Sequence, residues 1–144
     1  MTETIKISFD VAPSSPDLGL GLRVLLNNTV LYSTEHVEQH RVELTVPDSG
    51  GEHELSIEMF GKTTAHTQVD SSGAIVKDAL LNISNVCFDE IDITSILMAH
   101  AVYQHNFNGT GEETHEKFYG SMGCNGSVKI QFSSPVYIWL LERM

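Results

Sequence analysis

The sequence predicts an all-β protein, a β-sandwich of jelly-roll type that ends in a short helix. Apolar and polar residues alternate with a period of two in several short segments, which is typical of strands with one buried face. Turn residues, mainly Gly, Asn, Asp and Pro, separate about ten such segments at regular spacing, as in sandwiches and barrels. Near the end, Ser134-Pro135 precedes an apolar run, and these residues favour the cap and the first position of a helix.

The first half of the chain contains the clearest alternation. In segment 50–60, Leu55, Ile57 and Met59 alternate with Glu and Ser, so we expect one buried and one wet face. An Asn pair at 27–28 separates two apolar segments, and Asn tolerates the positive φ of a tight hairpin turn. The strands predicted in this half are 5–11, 22–26, 30–33, 41–46 and 50–60.

The second half is less regular. Thr94-Ser95 either caps a single helical turn or lies in a strand that continues the period-two pattern. We expect a single domain over 1–144, with 100–144 as a C-terminal β-subdomain in the alternative reading. The elements predicted in this half are strands at 80–83, 86–88, 102–107, 117–122 and 128–132, and a helix of about two turns at 136–143.

The composition favours a folded, acidic protein. Of its 144 residues, 41% are hydrophobic and 19% are charged, which argues against disorder. Eight Lys+Arg against nineteen Asp+Glu give a net charge of −11, a field that repels phosphate backbones, so we expect no nucleic-acid partner. The sequence displays neither an export signal nor an apolar run of about 18 residues, so we expect no membrane span. We expect reduced thiols at Cys87 and Cys124, with a disulfide between them as the alternative.

No pattern of catalytic residues is visible, and we expect the chain not to be an enzyme. It lacks a nucleophile elbow, a phosphate-binding loop and the ligand spacings of zinc sites, and we expect its seven histidines to face solvent. The acidic cluster of Asp89, Glu90 and Asp92 is the best candidate for a metal site, because Ca²⁺ prefers several carboxylate and carbonyl oxygens. The alternative is a turn with solvated carboxylates, in which case we expect no cofactor.

Aromatic side chains that are exposed would stack on sugar rings, and the candidates are Tyr32, Tyr103, Phe107 and Tyr119. The motifs LRVLLN at 22–27, GEHELSI at 51–57 and VCFD at 86–89 resemble those of jelly-roll carbohydrate-binding modules, especially the calcium-dependent xylan-binding type. The resemblance covers residues 1–97. It implies a glycan as ligand, with calcium as a candidate cofactor.

The ending FSSPVYIWLLERM, at 132–144, resembles small virion proteins of tailed phages, notably those of cyanobacterial phages. In that group β-sandwiches decorate capsids or form tail and fibre parts, so the resemblance implies a location in the virion and capsid or tail proteins as partners. A helix this short and apolar must dock on its own sheet or on a neighbouring subunit, and we expect a homo-oligomer. The residues predicted for the assembly interface are Tyr137, Trp139, Leu140 and Leu141. The first hypothesis is thus a non-enzymatic virion component, and the alternative is a carbohydrate-binding module, with or without calcium.

Overall fold

The computed structural model is a β-sandwich in which two antiparallel sheets enclose a hydrophobic core. It describes residues 4–14, 19–47, 50–61, 68–69, 71–72, 75–77, 80–105, 112–123, 125–134 and 136–143. The strands among them are β1 (Thr4–Pro13), β2 (Gly21–Leu26), β3 (Thr29–Thr34), β4 (His40–Pro47), β5 (Gly51–Phe60), β6 (Gln68–Val69), β7 (Ile75–Lys77), β8 (Leu81–Phe88), β9 (Ile91–Asp92), β10 (Val102–His105), β11 (Thr114–Lys117), β12 (Ser121–Met122) and β13 (Gly126–Ser134). The helices are α1 (Thr94–His100) and α2 (Val136–Leu141). The predicted fold class, with its short C-terminal helix, is confirmed.

The strands form two main sheets. The five-stranded sheet has the order β12-β8-β1-β4, with β9 paired to β8, and the six-stranded sheet has the order β11-β10-β13-β5-β2-β3. Strands β6 and β7 pair separately. The chain crosses repeatedly from one sheet to the other, for example from β1 to β2 and from β4 to β5. The rings of Phe88 in β8 and Phe132 in β13 have centroids 5.1 Å apart and join the two layers.

The predicted alternation of β1 and β5 produces much of the core. Strand β5 lies between β2 and β13, so its inward side chains occupy the middle of the six-stranded sheet. Burial of each such side chain adds about 1.5–3 kcal/mol to the free energy of unfolding, relative to leaving the side chain exposed. The inward residues of the two strands are at most 2% exposed and are Ile5, Ile7, Phe9, Val11, Leu55, Ile57 and Met59.

The predicted hairpin at the Asn pair is confirmed. Asn27 and Asn28 have φ of 51° and 68°, as a two-residue turn between β2 and β3 requires. Asn27 also fixes the turn to the neighbouring strand, because its Oδ1 accepts the N–H of Glu54 at 2.9 Å. Its Nδ2 donates to His53 Nδ1 at 2.9 Å. The turn residue therefore sets both the hairpin and its position beside β5.

Strand β8 is one strand rather than the two short strands that the sequence predicts. Its register against β1 shifts between Ser8 and Asp10, and Asn85 has φ of 50°. A β-bulge thus bends the strand without ending it. Asn85 Nδ2 donates to Asp10 Oδ2 at 2.7 Å, and this bond, with a second from Arg41, lowers the pKa of Asp10.

The segment after the β8–β9 hairpin is helical, so the strand expected in the alternative extends only to Asp92. Helix α1 begins after Ile93, which occupies the cap position, and Thr94 lies inside the helix rather than capping it. Thr94 Oγ1 instead accepts the N–H of Val86 at 3.0 Å. Leu97 is buried where α1 packs against β8.

The last third of the chain contributes to both sheets. Strand β10 pairs with β11 and β13, whereas β12 pairs with β8, so the predicted strand 117–122 is divided between the two layers. Helix α2 packs on β13. Cys87 is a free, half-buried thiol, while Cys124, His66 and Phe107 lie outside the described residues. Among the helices described, none has the length and apolar character that a membrane crossing requires.

Candidate functional site

The outer face of the six-stranded sheet carries a shallow depression of about 580 Å³. Side chains from β5, β10, β11 and β13 form it, together with one from α1 and one from the segment after α2. We call this set of residues the platform. Its described members are Glu54, His100, Val102, Gln104, His115, Lys129, Gln131 and Arg143.

Strand register explains why these side chains share one face. Lys129 of β13 lies opposite Val102 of β10, and Gln104 of β10 lies opposite His115 of β11. Gln131 follows Lys129 by two residues and therefore points the same way. The intervening apolar residues of β13 are buried in the core. Four adjacent strands at a spacing of about 4.8 Å make the platform about 14 Å wide.

Hydrogen bonds connect several of the polar platform side chains. Gln131 Nε2 donates to Glu54 Oε2 at 3.5 Å. At the β11 edge, Gln104 Nε2 donates to Glu113 Oε1, and His115 Nε2 lies 3.6 Å from the same oxygen. These contacts leave the amide oxygens and the second amide hydrogens of both glutamines available for a ligand.

Arg143 is held at the platform by Trp139. Its guanidinium lies 4.6 Å from the centroid of the indole ring, a cation–π contact, and its Nη1 donates to the Trp139 carbonyl oxygen at 3.3 Å. Glu142 Oε2 lies 3.6 Å from Nη1, an exposed ion pair of small energetic weight. The remaining N–H groups of this planar fork can pair with an acceptor from a ligand.

The platform has the chemistry of a reversible binding surface. Amide and imidazole groups donate and accept hydrogen bonds, as a ligand rich in hydroxyl groups requires. Among the described platform residues, Glu54 is the one carboxylate.

Two of the predicted metal residues, Asp89 and Asp92, accept hydrogen bonds from the chain, and the calcium site stays a prediction. Asp89 Oδ1 accepts the N–H of Lys6 at 2.8 Å, and its Oδ2 accepts the hydroxyl of Tyr137. Asp92 Oδ1 accepts the N–H of Thr94 at 2.8 Å, and this bond lowers the pKa of Asp92. Glu90 lies beside Asp89 in the β8–β9 turn. The described part of the chain contains no group of three or more His, Cys, Asp or Glu side chains that could hold a metal.

The predicted stacking tyrosines lie in three different environments. Tyr119 is 75% exposed, and the Lys117 ammonium lies 5.9 Å from its ring centroid. Tyr32 is half-buried at the sheet edge, where its hydroxyl is 3.0 Å from His40 Nε2. Tyr103 is 6% exposed because it points into the core, so its ring has no face for a sugar.

His105 also departs from the sequence-based expectation. His105 follows Tyr103 by two residues on the inward side of β10 and is buried rather than solvent-facing. Its ring centroid is 4.7 Å from that of Tyr103, and its Nε2 lies 2.7 Å from Glu116 Oε2. A carboxylate partner thus satisfies the buried imidazole.

Helix α2 divides the predicted assembly residues between core and surface. Trp139 and Leu140 are 2% exposed and pack within the chain itself. Tyr137, Ile138 and Leu141 are exposed on the other side of the helix. These three side chains form an exposed apolar face of the helix that is available for assembly. Ile138 was not among the residues predicted for the assembly interface.

No motif in the sequence singles out the platform residues. In β13, Lys129 and Gln131 alternate with apolar residues, a pattern that indicates only a solvent-facing side of a strand. The strand order that places β10 and β11 beside them depends on long-range pairing. Polar residues on separate strands form a site only after the strands pair. The sequence does not reveal this strand order, and therefore does not reveal the platform.

Comparison with known proteins identifies the fold. No protein-family model and no curated protein match the chain. Two solved structures do match, each with 8% sequence identity. One is vCBM60 in complex with galactobiose, with a TM-score of 0.50 over 87% of this chain and 96% of that chain. The other is the selenomethionine form of vCBM60, described with a circular permutation that links two families of calcium-dependent carbohydrate-binding modules; its TM-score is 0.56 over 88% of this chain and 89% of that chain.

This chain has the fold of a carbohydrate-binding module. The likeness confirms the β-sandwich prediction and, at the level of fold, the resemblance to such modules. It gives no support to the resemblance to phage virion proteins. Both neighbours are named as carbohydrate-binding modules, and the prediction that this chain is not an enzyme stays a prediction.

Proposed function

We propose that the chain is a non-catalytic carbohydrate-binding module and that the platform is its binding surface. The observation that supports this most directly is the set of amide, imidazole and cationic side chains on one open sheet face. Each sugar hydroxyl both donates and accepts hydrogen bonds, and the amides of Gln104 and Gln131 can pair with it in both directions. The width of about 14 Å suits several linked sugar rings.

The fold neighbours suggest which glycans to test first. One neighbour is in complex with galactobiose, so glycans built from galactose units are the first class. The other is connected with calcium-dependent modules, but calcium is not part of this proposal. Asp89 and Asp92 accept hydrogen bonds from the chain, and the described residues contain no group of three or more His, Cys, Asp or Glu side chains that could hold a metal.

The double variant Gln104→Ala, Gln131→Ala tests the proposal. Each lost hydrogen bond is worth about 0.5–1.5 kcal/mol, so we expect affinity for a bound polysaccharide to fall about tenfold. The measurement is retardation in native gels that contain galactan, xylan or polygalacturonate. Thermal unfolding of the variant should match that of the unchanged chain, because both side chains lie on the solvent face.

A matched control lies on the outer face of the other sheet. Glu43→Ala with Thr45→Ala removes two exposed side chains that are also two residues apart on one strand, and we expect retardation to be unchanged. Equal loss of affinity in the control and platform variants would contradict the assignment of the platform. The absence of retardation by any polysaccharide would contradict carbohydrate binding itself.

A second candidate function is assembly with copies of the same chain, and the exposed face of α2 favours it. Tyr137, Ile138 and Leu141 are large apolar side chains that solvent reaches on one short helix. Exposed apolar surface of this kind is a common feature of protein interfaces. The virion location and the capsid or tail partners belong to this candidate and stay predictions.

Solution mass separates this candidate from a monomeric binding module. If α2 mediates self-association, light scattering should give a multiple of 15.9 kDa, and Ile138→Asp with Leu141→Asp should return the mass to 15.9 kDa. Circular dichroism of the variant checks that the fold is retained. A mass of 15.9 kDa for the unchanged chain at high concentration would contradict self-assembly.

A further inference from the structure

The charge of the platform differs from that of the chain as a whole. The chain has a net charge of −11, yet the described platform residues include Lys129 and Arg143 against one carboxylate, Glu54. Lys117 lies beside them, opposite Val102 in the ladder of β10 and β11. Glu113 and Glu142 lie at the margins of the platform, beside Gln104 and Arg143, so cations and carboxylates balance on this face of an otherwise acidic protein.

Among the cations with described side chains, Lys6, Arg23, Arg41 and Arg143 each lie beside a carboxylate. The Lys6 ammonium lies 3.8 Å from Glu43 Oε2, and Arg41 Nη1 lies 3.0 Å from Asp10 Oδ1. Arg23 pairs in the same way with an acidic residue on the next strand. Lys129 differs, since its ammonium forms no ion pair with any part of the chain that the structure describes.

Strand register places the cations around a small apolar surface. Lys129 and Lys117 flank Val102 on three adjacent strands, so their Cα atoms lie about 10 Å apart. Val102 is exposed between them and can contact the face of a sugar ring. Arg143 approaches from the α2 side with its guanidinium fixed on the Trp139 ring. Such a preorganised fork favours carboxylate partners.

We propose that the glycan bound by the platform is anionic, a polysaccharide of uronic acid units. Ring hydroxyls would bond to Gln104 and Gln131, and sugar carboxylates would pair with Lys129 and Arg143. This inference rests on the proposed function and names its ligand class. Short-range pairing can outweigh the repulsion from the acidic surface, because charges more than about 8 Å away are screened at physiological ionic strength.

The test compares polygalacturonate with its fully methyl-esterified form at physiological ionic strength. Esterification removes the negative charge and keeps the sugar backbone. We expect the unchanged chain to bind the acid form about tenfold more tightly, as loss of charge-assisted hydrogen bonds requires. Lys129→Met should abolish most of this preference, because affinity for the acid form should fall much more than affinity for the ester. The control Lys6→Met, on the other sheet, should preserve the preference.

The outcomes separate this inference from the proposed function. Equal affinity for the acid and the ester, or binding of neutral galactan alone, would overturn the anionic ligand and keep carbohydrate binding. Binding of a sulfated galactan in place of polygalacturonate would overturn the uronic acid assignment. A preference for the acid form that survives Lys129→Met would overturn the role of the platform cations. Failure to bind any of these glycans would overturn both proposals.

Discussion

Trp139→Ala is expected to lower the free energy of unfolding by about 3–5 kcal/mol, the usual cost of truncating a buried Trp. The side chain is 2% exposed, and its ring centroid lies 6.0 Å from that of Phe88 and 6.1 Å from that of Phe132. Phe88 and Phe132 belong to opposite sheets, so the indole ring packs against both layers of the sandwich. Helix α2 is too short to persist without this anchor.

Leu141→Ala is the matched control for this prediction. Leu141 belongs to the same helix and is 72% exposed, so its truncation should change the free energy of unfolding by less than about 0.5 kcal/mol. Urea unfolding of both variants, followed by intrinsic Tyr fluorescence and far-UV circular dichroism, gives the comparison. Equal stability of the two variants would contradict the assignment of Trp139 to the core.

Gly126→Ala is expected to destabilise the fold by about 1–3 kcal/mol and to weaken glycan binding at the platform. A Cβ at this position would overlap the carbonyl oxygen of Gln104 and lie 2.9 Å from the Cβ of His105. Those atoms belong to β10, which pairs with β13 at Gly126. Backbone atoms cannot move aside as a flexible side chain can, so β10 must shift away from β13.

Gly123→Ala provides the control for the Gly126 variant. Its Cβ would lie 3.3 Å from Leu80 Cδ2, the mobile end of a side chain, so we expect a change within about 0.5 kcal/mol. Unfolding in urea measures the stability of both variants, and gel retardation measures their binding. Unchanged stability and binding in Gly126→Ala would show that β10 and β13 are not packed as closely as described, and would contradict the geometry of the platform.

Local sequence signals were sufficient for the regular parts of the fold. The alternation in β1 and β5 identified which side chains are buried, because one face of each strand is apolar without exception at Ile5–Val11 and at Leu55–Met59. The Asn27-Asn28 turn was predictable because few residues adopt positive φ readily. In these segments the local conformational propensity of the residues and their tertiary packing favour the same structure.

Other segments were less predictable because distant parts of the chain determine them. In β10, Val102 faces solvent and Tyr103 faces the core, and the four residues have no alternation that identifies the buried side. Asn85 interrupts β8 at a bulge whose partner, Asp10, is remote in sequence. The platform needs the order β11-β10-β13-β5, which no local pattern encodes.

At the acidic β8–β9 turn, too, residues distant in sequence determine the contacts. The sequence placed Asp89, Glu90 and Asp92 close together and so suggested a cation site. In the fold, the hydroxyl of Tyr137 and the N–H groups of Lys6 and Thr94 use the Asp oxygens. Two of these donors come from distant segments, and only tertiary structure brings them to the turn.

The proposed function requires a glycan to bind on the outer face of the six-stranded sheet. The most direct test is a backbone amide NMR titration of the ¹⁵N-labelled chain with trigalacturonic acid and, separately, with galactobiose. We predict saturable shift changes for β10, β13 and the facing part of β5, centred on Gln104, Lys129 and Gln131. Shift changes confined to the β8–β9 turn, to the edge strand β3 or to α2, or no change with either sugar, would contradict it.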